Sequence, residues 1–558
     1  MTPSRDDTRR PRGPGVVYAA LSTALAVMVG TIALRATQTP PPTIAEFAPQ
    51  AQALIEDAPD EQTSQFGSRD GGLGGTTDPT PPPVGADGQF IDAPRVRRCV
   101  GDPPRQIEDP QSPPCVPYWD GDNGGSTSKG VDRNEIRIIA ARAEDSFQTV
   151  RPEVITALEG FFNSRFEFYG RKLRLIPERY GATNDVVEAQ AQAREADQVH
   201  KPFASTHFMF GVGAGPYHDE LARSKIVSVR GPDGNVEHRY LAAQRPYTWS
   251  YIMSVDRMLV NIGQWVCGRL AGRDADHAGS GVQGDDRVFG IITATYTPED
   301  LVVEPEPLER ELGDCGVTSK VTLVNPFAGS GELDAEGWRN AMLQMQTNDV
   351  TTILCVCTWW DAYGVRGEAD RQAYFPEWLV SSYGFNDTSM SANYARAFFA
   401  NSQQRTTFGL TFQPRQVRFS NEPVVWAINE GGGPNVEAEQ GGFDHWTNRD
   451  FYHSLLLIAS GIQMAGPNLT PEAFEDALHT THFPNPDHPI MAGAVGFAGR
   501  SYSMTIDGAE WWWSETEPNP YGEGQGTVCY IDGGARHRAG SWPSGTAPFF
   551  EPPCDSLI

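Results

Sequence analysis

Two indole rings and a carboxylate stand side by side at Trp359, Trp360 and Asp361. The rings offer large rigid apolar faces for stacking or cation–π contact. They close an apolar run, Val350 to Cys357, whose β-branched and sulfur-bearing residues suit a strand buried on both faces. A helix-like segment from about Val365 to Tyr374 leads to a second run, Leu379 to Ser382, which ends at Tyr383, Asn386 and Asp387. The two runs read as one βαβ unit. Its strand ends aim polar and aromatic side chains at one edge of a sheet, where crevices form outside the carboxyl ends of strands. Each group also has a plainer role, since tryptophan is buried on average and aspartate commonly caps helices.

Catalytic chemistry leaves no signature. No GxSxG, HExxH or GxxxxGK[ST] motif occurs, so an enzyme is not expected, and no cofactor is implied. GVGAGP at Gly211 to Pro216 is not a dinucleotide fingerprint, because Pro216 takes the place of the third glycine. His479, His482 and His488 cluster in HTTHFPNPDH, which reads as a polar surface loop rather than a metal site.

The elements that hold these groups begin far along the chain. A charge-free run of about twenty residues, Gly15 to Leu34, follows Arg5, Arg9, Arg10 and Arg12, long enough to cross a bilayer core of roughly 30 Å with the amino terminus inside. The alternative, a cleaved export signal, has an apolar region of only about 7 to 15 residues. The expectation is a cytoplasmic tail (1–14), a transmembrane anchor (15–35) and an extracytoplasmic remainder, single-pass in the cell membrane. From 36 to 130 the chain is rich in Pro and Gly, as in TPPPT and GGLGGTTDPTPPPVGADG, and reads as a tether.

An exported chain with 8 cysteines implies disulfides. Proximity pairs Cys99 with Cys115, Cys267 with Cys315, and Cys529 with Cys554. Cys355 and Cys357 remain, two apart on one strand face, where a direct bridge is strained; a buried structural role is expected of them. The formal net charge of -27 argues against nucleic acid as a partner. Beyond Val131, apolar strand-like runs alternate with helical segments: Glu135 to Ala141, Arg174 to Tyr180, Ile226 to Val229, Arg287 to Thr293 and Lys320 to Asn325 among them. This is an α/β pattern with mostly parallel sheets, and about 430 residues divide most simply into two lobes. The triple tryptophan Trp511 to Trp513 is expected at a sheet edge or lobe surface.

Several stretches resemble type 1 periplasmic binding proteins, in particular the branched-chain amino acid receptors that serve ABC importers. GVDRNEIRI at Gly130 to Ile138 is similar to the family's opening strand. THFMFGVGAGPYHDELARSKIVSV at Thr206 to Val229 looks like its strand, ligand loop, helix and next strand. VTTILCVC and YFPEWLVSS resemble second-lobe strands, and IASGIQMAGPNLTPEAFEDAL at Ile458 to Leu478 its late helices. The resemblance covers about Thr127 to Phe550. It implies a two-lobed clamshell whose lobes, each a mostly parallel sheet with helices on both faces, are joined by three crossovers near Ser250 to Asp256, Ser381 to Thr388 and Gly493 to Arg500. Lobe one would comprise 131–252 plus 388–495, and lobe two 253–387 plus 496–558.

The function implied is capture of a small molecule between the lobes, with no bond made or broken, for an ABC permease. The alternative is a membrane-anchored sensor or envelope-assembly receptor that reuses the fold without transport. The family's ligand loop corresponds to amides of Gly213, Ala214 and Gly215, here without the usual hydroxyl side chains. Thr248, Ser250, Tyr296, Trp359, Trp360 and Tyr383 join them as expected ligand contacts, and Asp361 or Asp387 would receive a ligand ammonium. An amino acid, an amide or a bulkier aromatic or sugar-like molecule is the ligand class implied.

Overall fold

Strand β1 (Glu135–Ala143) shows how the fold is built: Ile136, Ile138 and Ala140 enter one core cluster while Ile139 and Ala141 enter another, so one strand feeds two packed layers. In the computed structural model, residues 99–143, 150–180, 185–206, 213–231, 236–295, 302–327, 334–389, 391–393, 402–436, 443–485, 493–497, 499–519 and 524–554 are described. All of them fall within one compact unit. The expected anchor and most of the expected tether lie outside the described residues. Among the described residues, no helix is long and apolar enough to cross a membrane.

The first sheet has five strands, ordered β2-β1-β3-β4-β5, all parallel: β1, β2 (Lys172–Tyr180), β3 (Ala204–Ser205), β4 (Val227–Arg230) and β5 (Thr248–Ser250). Between them run α1 (Pro152–Arg165), α2 (Val186–Glu195), α3 (Ala214–Arg223) and α4 (His238–Ala243). α1 starts on Pro152 with Glu153 in its first turn, the order of residues that favours a helix amino terminus. Helix α5 (Val255–Arg269) then enters the second lobe, where its Trp265 and Arg269 both bond the buried Glu510.

The second sheet has eight strands. β6 (Phe289–Thr293), α6 (Glu306–Asp314), β7 (Val321–Val324), α7 (Ala335–Thr347), β8 (Thr352–Val356), α8 (Trp359–Arg371) and β9 (Glu377–Val380) continue the parallel alternation. β10 (Thr407–Thr411) pairs parallel with β9, and antiparallel β11 (Gly508–Pro518), β12 (Gln525–Tyr530) and β13 (Arg536–His537) complete the sheet. Helices α9 (Pro423–Glu430), α10 (Phe443–Ala465) and α11 (Pro471–Thr480) intervene and return to the first lobe, α9 against α1 and α10 against α11. The alternating α/β pattern read from the sequence is therefore present in both lobes.

Several expectations need correction. The second crossover is not at Ser381 to Thr388: the chain stays in lobe two through β10, because Thr407 to Gly409 register against Trp378 to Val380, and it crosses after Thr411. The described residues between 402 and 411 therefore do not belong with lobe one. The tether does not run to 130: Arg105 to Ser112 are buried, and Gln463 Nε2 donates to Pro114 O at 3.0 Å, so a segment rich in Pro packs against α10. Trp511 to Trp513 are neither edge nor surface. β11 is paired on both sides, and alternation sends Trp511 and Trp513 into one core and Trp512 into the other.

The disulfides Cys99–Cys115, Cys267–Cys315 and Cys529–Cys554 are present. Cys355 and Cys357 are bonded to each other as well. The expectation of a strained bridge assumed a fully extended strand, which spans about 6.6 Å over two residues. Cys357 lies past the last residue of β8, and the two Cα atoms are 5.2 Å apart.

Candidate functional site

The crossovers define where the lobes meet. The first and third run side by side: Ser250 N–H donates to Tyr502 O at 2.9 Å, Met504 N–H returns to Ser250 O at 2.9 Å, and Thr505 Oγ1 donates to Tyr251 O at 3.2 Å. The second, after β10, is held from lobe one by Arg449 on α10, whose Nη2 lies 3.3 Å from Gln413 Oε1. Gln111, inside the Cys99–Cys115 loop, donates to Gly493 O at 3.0 Å, so this loop ties into the third crossover.

On the lobe-one edge, β3 ends at Ser205, whose hydroxyl is 3.2 Å from that of Tyr217 on α3. Gly213 is the N-cap of α3, with Ala214 and Gly215 buried in its first turn; no side chain caps it and no acid occupies that turn. Thr248 is fully buried and donates to Gln244 Oε1 at 2.7 Å, while Ser250 Oγ accepts from Ile252 N–H. Both hydroxyls are engaged in holding β5 and the first crossover. Residues 207–212, which include the start of the expected ligand loop at Gly211, and Tyr296 lie outside the described residues.

On the lobe-two edge, Thr358 is the N-cap of α8, which begins at Trp359 and not near Val365. Asp361 is fixed by its own lobe: Oδ2 accepts from Thr358 Oγ1 at 2.6 Å and Oδ1 from Trp338 Nε1 at 2.8 Å. Burial pushes its carboxyl above the ordinary range, and these two donors pull the other way. Asp387 is more enclosed still. Ser382 Oγ and Thr411 Oγ1 both donate to Oδ2 at 2.5 Å, and Gln413 Nε2 reaches Oδ1 at 3.1 Å. Here too burial raises the carboxyl, with Ser382 and Thr411 opposing it. Every carboxylate oxygen of the two aspartates thus already accepts at least one hydrogen bond from the protein, so a ligand ammonium would share these groups with Thr358 and Trp338 at Asp361, and with Ser382, Thr411 and Gln413 at Asp387.

The aromatic groups are divided. Trp359 and Tyr383 are buried, and Trp360 is partly exposed beside Trp359, ring centroids 4.5 Å apart at 83°. The turn after β9 is locked to the start of α8. Gly384 has φ +63°, and a Cβ there would lie 2.8 Å from both Cys357 O and Trp359 N; Asn386 Nδ2 donates to Cys357 O at 2.9 Å. That turn holds Phe385 at φ +60°, an uncommon conformation for a bulky residue. Phe385 stacks on Trp446 of α10, centroids 4.5 Å apart at 28°, which is a direct aromatic contact between the lobes.

Sequence reasoning missed Phe385 and Trp446, and it did not single out Arg230, the buried last residue of β4. Gly384 beside Phe385 was a local signal for a positive φ. Arg230 closes the apolar run IVSVR, where a charge at a strand's carboxyl end was visible. Nothing near Trp446 indicates a partner some sixty residues back, since the contact exists only once both lobes are in place.

No protein-family model matches this chain, and no curated protein matches it. Among solved structures, one similar chain is a solute-binding protein of an ABC transporter from R. palustris in complex with 4-hydroxybenzoate. It has TM-score 0.50 and 12% identity over 74% of this chain and 98% of that one. A second, from Rhodopseudomonas palustris HaA2 in complex with p-hydroxybenzoic acid, has TM-score 0.50 and 11% identity over 73% of this chain and 98% of that one. The chain has the fold of two-lobed solute-binding proteins of ABC transporters, as the resemblance drawn from its sequence implied.

Proposed function

We propose that this protein is an extracytoplasmic solute-binding protein that captures a small molecule between its lobes and presents it to an ABC permease. The observation that carries this reading is the arrangement of one parallel and one mostly parallel sheet joined by three crossovers, with aromatic residues of both lobes meeting beside the crossovers. The two similar structures are binding proteins with small aromatic acids bound, and Trp360 gives this chain a partly exposed aromatic face at the lobe-two edge that suits stacking on such a ligand. Closure of such lobes on a ligand is a hinge motion about short connecting segments. Residues 15–35 would anchor the protein, and residues 36–98 would let the lobes reach a permease.

The test is mass spectrometry of whatever is retained on purification, followed by thermal-shift titration with that compound. At about a hundredfold excess over Kd the ligand adds about 2.7 kcal/mol of stability, a rise of a few degrees in melting temperature. Nothing retained, and no shift across amino acids, amides, sugars and aromatic acids, would sink the proposal. The charge-free run Gly15 to Leu34 favours a second reading, a membrane-anchored receptor without transport. Absence of a permease and ATPase encoded beside this chain, with a ligand nevertheless bound, would select it.

A further inference from the structure

We infer that the captured solute carries a carboxylate or comparable anionic group and that Arg230 holds it. This rests on the cleft reading above and adds the charge of the ligand to it. Arg230 is the last residue of β4 and is fully buried. It registers against Ser250, the residue at which the chain leaves lobe one and whose backbone pairs with the third crossover. The guanidinium is therefore rooted at the carboxyl edge of the first sheet, one strand from the hinge.

Its surroundings fill only part of its hydrogen-bonding capacity. Nη1 donates to the Tyr240 hydroxyl at 3.2 Å, and the cation lies 5.3 Å from that ring's centroid. The hydroxyl in turn donates to Asp219, which also accepts from Gln244, so the nearby acid is engaged with α4 and not with Arg230. Among the described residues Nε and Nη2 have no hydrogen-bond partner, nor has the Ser228 hydroxyl two residues earlier. Among the described residues Arg230 forms no ion pair.

Nε and Nη2 make up one edge of the guanidinium, the fork that receives a carboxylate through two parallel bonds. The same protein shows twice what fills that edge. Arg269 places Nε and Nη2 at 2.8 and 2.7 Å from the two oxygens of Glu510, and Arg287 places them at 2.9 and 2.8 Å from those of Glu377. Arg230 presents the same pair of donors with no carboxylate among the described residues, at the carboxyl end of β4 in register with Ser250 at the first crossover. A buried charge with unfilled donors is costly until an anion arrives, so binding energy is available there for a ligand that brings one. Arg366 also has Nε and Nη2 unfilled, but it lies in the middle of α8 with its guanidinium 4.7 and 5.7 Å from the Tyr363 and Trp378 ring centroids. The uncapped start of α3 adds a second positive element to the lobe-one edge.

The experiment uses the full chain and matched probes: 4-hydroxybenzoate with 4-hydroxybenzamide, benzoate with benzamide, and valine with valinamide, each titrated by calorimetry and thermal shift. The expected result is that at least one acid binds and that its amide binds about thirtyfold or more weakly. Arg230→Gln should weaken the acid by about a hundredfold and leave the amide within about threefold, with Arg230→Lys recovering part of the loss. Comparison of acid with amide on the wild type needs no variant to fold. An amide that binds as tightly as its acid, or an acid whose Kd is unchanged in folded Arg230→Gln, overturns the assignment while leaving the cleft reading intact. If neither acid nor amide binds and nothing co-purifies, both fall.

Discussion

The carboxyl ends of the two sheets carry opposite electrostatic arrangements. In lobe two the edge holds carboxylates, Asp361 and Asp387, and every one of their oxygens accepts from a donor of the protein. In lobe one the edge holds a buried cation, Arg230, with two donors unfilled. The acids a reader of the sequence would offer to a ligand ammonium already accept hydrogen bonds from the protein, whereas the cation keeps donors without an acceptor. A buried ionisable group reports a binding site through what it lacks, so its partners decide its role more than its type does.

The largest expected effect separates the two regions by pH. His453 on α10 stacks on Tyr251 of the first crossover, with ring centroids 5.7 Å apart, and burial together with Arg449 lowers its pKa to about 3. A base with a depressed folded-state pKa contributes stability that is present above about pH 6.5 and lost as pH falls toward 3. The loss approaches 1.4 kcal/mol per pH unit, or about 4 kcal/mol by pH 3. The lobe-two acids have the opposite sign. Their raised values mean that folding takes up protons, so their contribution is present below about pH 4 and declines as pH rises through the folded-state values. Urea midpoints between pH 3 and 7 for wild type and His453→Gln measure the first slope. An unchanged acid limb in the variant would show that His453 is not its source.

Asp387→Ala comes next, at about 3 kcal/mol, because Ser382, Thr411 and Gln413 lose their acceptor inside the protein. Denaturation reads the stability, and titration of the surviving folded fraction with the wild-type ligand reads the site. Affinity is expected within about twofold of wild type, since the carboxylate faces its own lobe. A variant that keeps its stability but no longer binds would place Asp387 at the ligand and abolish the contrast between the edges.

How much of this was legible in sequence depended on how local each feature is. The strand and helix alternation follows from apolar runs and their spacing, and Glu135 to Ala141, Val350 to Cys357 and Leu379 to Ser382 all coincide with strands to within a few residues. Pairing is not local. Polar residues after β9 looked like an exit from lobe two, and only the register of β10 on β9 shows that the chain stays. The Pro-rich segment before Gly130 has the composition of a tether, yet a disulfide and long-range hydrogen bonds to α10 and Gly493 order its last part. Asp361 lies in the first turn of α8 and Asp387 beyond the turn after β9; Thr358 and Ser382 are local donors to them, but Trp338 and Thr411 come from distant positions that spacing does not reveal.

The smallest expected effect tests whether the two edges act together. Trp360 is partly exposed on lobe two, whereas Trp446 and Phe385 are buried against each other between the lobes. Trp360→Ala should cost under about 1 kcal/mol of stability, because a partly exposed ring loses little packing, but should weaken an aromatic ligand by about tenfold. Trp446→Ala removes the lobe-one half of a stacked pair worth about 1 kcal/mol beyond its buried area, and its consequence is conformational. Without that contact the closed arrangement loses ground to the open one, so the radius of gyration of the ligand-free protein should rise, and ligand should restore it. If scattering shows no such rise, the Phe385–Trp446 stack does not hold the lobes together and closure depends on the crossovers alone. Measured side by side, the two variants distinguish an aromatic residue that meets the ligand from one that sets how often the cleft is closed.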